Sequence, residues 1–276
     1  MVKQCMISEQ GVSEAIGFML ILSIVIAGIA LVTLYGYPML LQQQSSANER
    51  IMEKNMIVLQ NDLKSLVYKT VPYKESSLDI VGGPITIYNT TYVPAVFQLN
   101  VTDCSVGGNS YVTGFRSGDL RYASGSAATD IALQNGAVVV RQHGLNGSAM
   151  LAEPRLFYDN QTNTLVLNLI GFNATGNLAR EGIGTVGMGI GTYNYTYYPA
   201  VASPVCFVYT PVSTDPEKDY SVAWDAYLSK FLNQPPDISV ISRTGTPGTG
   251  VPLTYTVSIS HPLTLVIKKY DVLIRL

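Results

Sequence analysis

The stretch VSEAIGFMLILSIVIAGIALVTLYGYPMLL, residues 12–41, decides how the rest of the chain is read. No charged residue occurs between Glu14 and Glu49. A soluble core helix rarely runs so far without charge, because one of its faces meets water, so the segment reads as a membrane-spanning helix. The apolar block from Ala15 to Leu34 crosses a hydrocarbon layer of about 30 Å at about 1.5 Å per residue. Tyr35 and Tyr37 fit an interfacial aromatic belt. Gly36 and Pro38 are expected to bend or loosen the helix there.

Working outward, a polar stretch from Gln42 to Ser46 leads into a second helical pattern. Met52, Met56, Leu59, Leu63 and Leu66 recur at 4-3-4-3 spacing, which places them in one stripe. The stripe covers too few heptads for a free coiled coil, so it is expected to pack on a β-domain, its own or a neighbour's. Pro72 and a turn at Val81-Gly82-Gly83-Pro84 are expected to end the helical region.

The chain then reads as strands. Ile85 and Ile87 alternate with polar neighbours, as do Phe97, Leu99 and Val101. Residues 130–141 form a hairpin pattern with Asn135-Gly136 at its turn. Residues 155–158 and 165–170 flank a turn at 159–164. Val205–Tyr209, Tyr255–Ser260 and Leu263–Leu276 complete the strand pattern. One helix interrupts them: Trp224, Tyr227, Leu228 and Phe231 share a face. Pro216 is expected in its first turn, with Thr214 or Asp215 as cap and Pro235-Pro236 as the stop. The fold class is therefore an N-terminal transmembrane or long α-helix plus a mainly antiparallel β-sandwich with one packed helix.

Composition narrows the function classes. Net charge is −2 and only 13% of residues are charged, against about 25% in soluble domains. With no basic stripe, no nucleic-acid partner is expected. Cys5 lies near the N-terminus, whereas Cys104 and Cys206 lie in the large domain, either as two buried thiols or, as expected here, as a disulfide. Such a bond closes a loop of about a hundred residues and contributes up to about 4.7 kcal/mol in the chain-entropy model. Asn-x-Ser/Thr occurs at Asn89, Asn100, Asn146, Asn160, Asn173 and Asn194, never with proline in the middle. These acceptors point to a domain outside the cell. The count of positive residues flanking the span does not orient it, since Lys3 on one side faces Arg50 and Lys54 on the other.

No catalytic constellation stands out. His143 and His261 belong to no metal-ligand spacing, and no nucleophile elbow occurs. Gly182-Ile183-Gly184-Thr185-Val186-Gly187 formally matches a dinucleotide fingerprint, yet strand or loop text follows where a helix is required. Neither an enzyme, a metal site nor a cofactor is expected.

The residues at 10–19, Gln-Gly-Val-Ser-Glu-Ala-Ile-Gly-Phe-Met, resemble the N-terminus of archaeal type IV pilin-like proteins. The resemblance covers under a tenth of the chain. It implies a leader at 1–11, removed by a prepilin peptidase between Gly11 and Val12, a transmembrane and polymerisation helix at 12–41, its amphipathic continuation at 42–70 and an extracellular domain at 71–276. Many such leaders carry Lys or Arg before the glycine, where this chain has Glu9 and Gln10. After cleavage the new Val12 amine would lie two residues from Glu14. A carboxylate at the membrane edge is costly unless paired, so Glu14 of one chain could neutralise the amine of another. Small residues in the span, Ser23 and Ala27 among them, would admit close helix contact.

The functional expectation is a single-pass surface subunit, N-terminus cytoplasmic and large domain outside, which self-assembles with other pilin-like subunits into filaments for adhesion. The alternative is an unassembled, membrane-anchored β-domain that binds a glycan or an envelope protein. Tyr193, Tyr195, Tyr197 and Tyr198 bear on that alternative, either as an exposed aromatic surface or as core.

Overall fold

A computed structural model describes residues 9–69, 71–91, 97–105, 107–125, 129–145, 147–201, 203–211 and 218–276. Helix α1 spans Glu9–Leu31, a π-helical turn spans Val32–Gly36, and α2 spans Tyr37–Tyr68. The chain divides into two compact units, one ending at Ala47 and the other running Asn48–Leu276.

The first unit is a helix whose large apolar side chains, such as Phe18, Ile24 and Leu34, are exposed on all its faces. Of the bending or loosening expected at Gly36 and Pro38, the backbone takes the second: it widens into a π turn. Pro38 has no N–H, and its ring would crowd the carbonyl four residues earlier. The Tyr37 N–H donates to Val32 O, one residue further back than in an α-helix. That single π turn shifts the hydrogen-bond ladder past the proline, and the helix resumes.

The second unit has three layers. Its larger sheet holds, in spatial order, β7 (Ser148–Ala152), β6 (Ala137–Gln142), β5 (Thr129–Gln134), β4 (Asp119–Ala123), β1 (Tyr73–Tyr88), β10 (Ala179–Val201), β14 (Leu263–Arg275), β9 (Thr164–Ala174) and β8 (Phe157–Asp159). The smaller sheet holds β12 (Ile238–Thr244), β13 (Leu253–Ile259), β11 (Val205–Pro211), β2 (Phe97–Asp103) and β3 (Ser110–Arg116). All pairings are antiparallel except β14 with β9.

Strand periodicity assigns the two faces of the larger sheet to two cores. Leu165, Leu167 and Leu169 face the smaller sheet and helix α3 (Ser221–Phe231), around Trp224 and Phe97. Ile170 and Phe172, one step out of phase, face α2. The stripe Met52, Met56, Leu59, Leu63 and Leu66 is wholly buried against that second face. At about 1.5–3 kcal/mol per fully buried side chain, it is a principal source of the helix's stability. Gln60, buried beside the stripe, donates from Nε2 to Gly136 O at 2.7 Å and to Glu153 O at 3.0 Å.

The hairpin at Asn135-Gly136 forms as its dipeptide requires, with φ of 45° and 77°. Its turn is buried. Asn135 N donates to Ser117 Oγ at 2.7 Å, and Asn135 Oδ1 accepts from Ile170 N at 2.8 Å. The hairpin around residues 159–164 forms as β8 and β9.

Two local expectations are corrected. Val81–Pro84 is no terminating turn: it is a bulge inside the sixteen-residue β1, between the pairs Ile80–Gly182 and Ile85–Arg180. Gly82-Gly83 suits the bulge because any Cβ on Gly83 would meet Ala123 O at 2.0 Å. Helix α3 starts at Ser221, beyond the reach of a first-turn Pro216. Thr214, Asp215 and Pro216 lie outside the described residues. Asp219 holds the start instead, accepting from Ser221 N at 2.7 Å and Gly250 N at 3.0 Å.

A polar knot sits within the inter-sheet layer. Arg121 Nη2 meets Asp119 Oδ2 at 2.7 Å, with both side chains buried. Gln134 Nε2 donates to the same carboxylate oxygen at 3.3 Å, and its Oε1 accepts from Trp224 Nε1 at 3.0 Å. Arg121 also lies 5.0 Å from the Tyr88 ring centroid. Burial pushes the Asp119 carboxyl up, and Arg121 opposes that shift.

Removing one member strands the other charge in the interior. Arg121→Met is expected to cost about 3–5 kcal/mol, read as a lower urea midpoint of the detergent-solubilised chain, with Asp119→Leu in the same chain recovering part of the loss. Leu59→Ala is expected to cost about 2–5 kcal/mol in the same assay.

Candidate membrane and assembly segment

From Glu14 to Leu41 the first unit meets the chemical demands of a hydrocarbon solvent. A spanning helix must satisfy every backbone group internally, and its polar side chains must find partners close by. Ser23 Oγ donates to Met19 O at 2.7 Å, and Thr33 Oγ1 donates to Ile29 O at 2.9 Å, each one turn back. Neither hydroxyl therefore needs water. This helix is long and apolar enough to cross a membrane. Glu14 is exposed at the start of this stretch, with no other ionisable acid or base before Glu49 except Tyr35 and Tyr37. Gly17 and Gly28 have open space where a Cβ would stand, so the helix surface is shallow there. Gly11 and Val12 lie in the helical backbone of α1, and the Val12 side chain is outside what is described. Cys5 and Asn146 are also outside them.

The second unit places the remaining sequence candidates. Cys104 and Cys206 form a disulfide, with Cα atoms 5.2 Å apart. It joins the end of β2 to its neighbour β11, whose residues pair through Cys206 and Thr102. The acceptor asparagines divide into two groups. Asn89 Oδ1 accepts from Ala174 N at 2.7 Å, Asn173 Oδ1 from Thr90 Oγ1 at 2.9 Å, and Asn100 Oδ1 from Gly114 N at 2.5 Å. These three are half-buried and serve the fold, whereas Asn160, in a turn, and Asn194 are exposed. His143 sits in a turn with Nε2 3.2 Å from Asp130 Oδ2, and His261 is exposed before Pro262. The glycine-rich stretch 182–191 lies wholly within β10, so no helix start exists there to hold a pyrophosphate.

The four tyrosines separate by strand alternation. Tyr193, Tyr195 and Tyr197 are 51–53% exposed, while Tyr198 packs edge-on against Tyr111 with ring centroids 5.1 Å apart. Sequence reasoning missed Tyr68, Arg155, Asn168 and Lys268, which line a cleft beside Tyr193. They come from α2, the loop between β7 and β8, β9 and β14. The tyrosine alternation in β10 was the one local signal that pointed toward them.

The chain belongs to DUF7289, a family of unknown function, whose model matches residues 10–230. Neither the curated proteins nor the solved structures contain a match to it. The matched region begins just before Gly11 and stops within α3. Strands β12, β13 and β14 lie beyond it, although β14 occupies the middle of the larger sheet between β10 and β9.

Glycan attachment to Nδ2 needs an accessible acceptor. If the domain is exported, glycopeptide mass spectrometry is expected to find Asn160 and Asn194 occupied more fully than Asn89, Asn100 and Asn173.

Proposed function

We propose that this member of the family is a pilin-like surface subunit of the archaeal type IV kind, processed between Gly11 and Val12 and assembled through its N-terminal helix. The carrying observation is the sequence of surfaces along the helical backbone. An apolar surface exposed on every side, from Ala15 to Leu41, is followed on α2 by a stripe buried in the β-domain. In a filament the exposed part is covered by copies of itself, through the burial of apolar area and the close approach allowed at Gly17, Ser23, Ala27 and Gly28. In the membrane, before assembly, lipid covers it. Glu14 then supplies register: its carboxylate pairs with the Val12 amine of a neighbour, and a subunit out of register leaves a charge unpaired.

In this reading the leader faces the cytoplasm, a prepilin peptidase acts there, and the β-domain stands outside, glycosylated and disulfide-bonded. Its work is adhesion and assembly, and it needs no cofactor. The anchored, unassembled module is favoured by a different observation, the exposed tyrosines of β10, which suit a binding surface independent of any filament.

N-terminal sequencing of material sheared from the cell surface separates these readings. A start at Val12 in the sheared fraction supports the subunit, and a retained Met1 confined to membranes supports the anchored module. Glu14→Gln is expected to reduce sheared filament material at least tenfold while the membrane-bound amount and the melting of the β-domain stay unchanged. Undiminished filaments in that variant would remove the role given to Glu14.

A further inference from the structure

Helix α2 ends at Tyr68, and beyond it the helix-side face of β10, β14 and β9 carries exposed rings at Tyr193, Tyr195 and Tyr197 beside buried Val166, Asn168 and Val266. The register lays out which residues share that face. Tyr193, Tyr195 and Tyr197 of β10 stand opposite Tyr270, Lys268 and Val266 of β14. Lys268 and Val266 in turn pair with Asn168 and Val166 of β9. Tyr193 stacks at a tilt on Tyr270, with ring centroids 4.9 Å apart and planes at 35°. The three exposed tyrosines therefore form a row along the strand, spaced by about 6.6–6.8 Å.

Beside the row lies a cavity of about 530 Å³, lined by Tyr68, Arg155, Asn168, Tyr193 and Lys268 among others. Its floor is built rather than incidental. Asn168 is 3% exposed, and its Nδ2 donates to Arg155 O at 2.5 Å, which leaves Oδ1 as an acceptor. The Arg155 guanidinium lies over the Tyr68 ring, 4.6 Å from its centroid, in a cation–π contact. Among the described residues neither Arg155 nor Lys268 has a carboxylate partner. In a chain of net charge −2, two unpaired cations aimed at one cavity are a local excess of positive potential.

We infer that this face binds a uronic-acid-bearing polysaccharide: pyranose rings lie on the tyrosine row, a carboxylate is held by Arg155 and Lys268, and Asn168 accepts from a ring hydroxyl. Aromatic rings give apolar area with a polar edge, which matches a sugar's C–H face and hydroxyl rim. Arg155, with its planar fork of donors, suits a carboxylate. A nucleic acid would also stack on aromatics, but it needs a basic track for successive phosphates, and among the described residues the cavity lining holds two cations, Arg155 and Lys268. Asn194, the acceptor between Tyr193 and Tyr195, points to the opposite side of β10 by strand alternation, so a glycan attached there leaves the row clear. The inference concerns Asn48–Leu276 and holds whether the chain assembles or stays anchored alone.

The test is titration of the full chain in detergent micelles with a galacturonate hexamer, with a maltose-series hexamer as the neutral probe and polyphosphate as the charge-only probe. Saturable binding of the galacturonate hexamer is expected, with binding of the neutral and charge-only probes weaker by at least about tenfold. Arg155→Met, Lys268→Met and Tyr195→Ala are each expected to weaken it by about tenfold or more. All three side chains reach solvent, and circular dichroism and melting of each variant show that the fold is kept. Absence of saturable binding by the parent chain overturns the inference. So does polyphosphate binding as tightly as the uronate, or an affinity that Tyr195→Ala leaves intact. Because the readout is binding in micelles, its failure leaves the filament reading untouched, and loss of filaments leaves this site untouched.

Discussion

The seating of the Met52–Leu66 stripe on the larger sheet is the interaction on which the rest of the structure depends. An isolated helix is marginal in water, and α2 gains its stability from one face that sheet residues cover completely. The same face closes the second core around Ile85, Ile131 and Val272, which would otherwise meet solvent. Gln60 shows how closely this contact is specified. Among wholly apolar neighbours its amide needs two carbonyls, and it finds them on Gly136 and Glu153, at the hairpin turn and just past β7.

A sheet buried on both faces sets strict terms for its strands. Register cannot slip by one residue without exchanging the two cores, so β9 carries leucines for one side and Ile170 and Phe172 for the other. Its parallel partner β14 occupies the middle of the sheet between β10 and β9, so the two halves of the large sheet are joined through that strand. Polar groups caught inside pair with each other, as in the Asp119–Arg121–Gln134–Trp224 chain, although Asp119 Oδ1 and Arg121 Nε are left without a hydrogen-bond partner. Their value lies in fixing one arrangement, since a misplaced partner leaves a buried charge.

Two surfaces among the described residues stand out as left uncovered by the protein itself, and they differ in kind. The helix from Ala15 to Leu41 is apolar on all sides, with the Ser23 and Thr33 hydroxyls turned back onto its own carbonyls, and calls for lipid or other helices. The face beyond Tyr68 mixes tyrosine rings with unpaired cations, and calls for a hydrated, anionic, partly apolar ligand. One chain thus carries a surface for low dielectric and a surface for water, and the chemistry of each limits what can cover it.

The sequence by itself determined the long apolar helix, the α2 stripe, the Asn135-Gly136 hairpin and the amphipathic α3, because period and turn chemistry are local properties. It also identified Glu14 as an isolated carboxylate, since an absence of charge is visible without coordinates. It failed at Gly82-Gly83, where the same dipeptide serves a turn or a bulge and the deciding atom, Ala123 O, is distant in sequence. It failed again at the start of α3, where Asp219 gains its role from Gly250. The cleft was illegible for the same reason: Tyr68, Arg155, Asn168 and Lys268 carry no signal singly and meet only through strand register and the seating of α2 and of the loop before β8. Local backbone preference is written residue by residue, whereas which strand lies beside which is decided by the packing of the whole sheet.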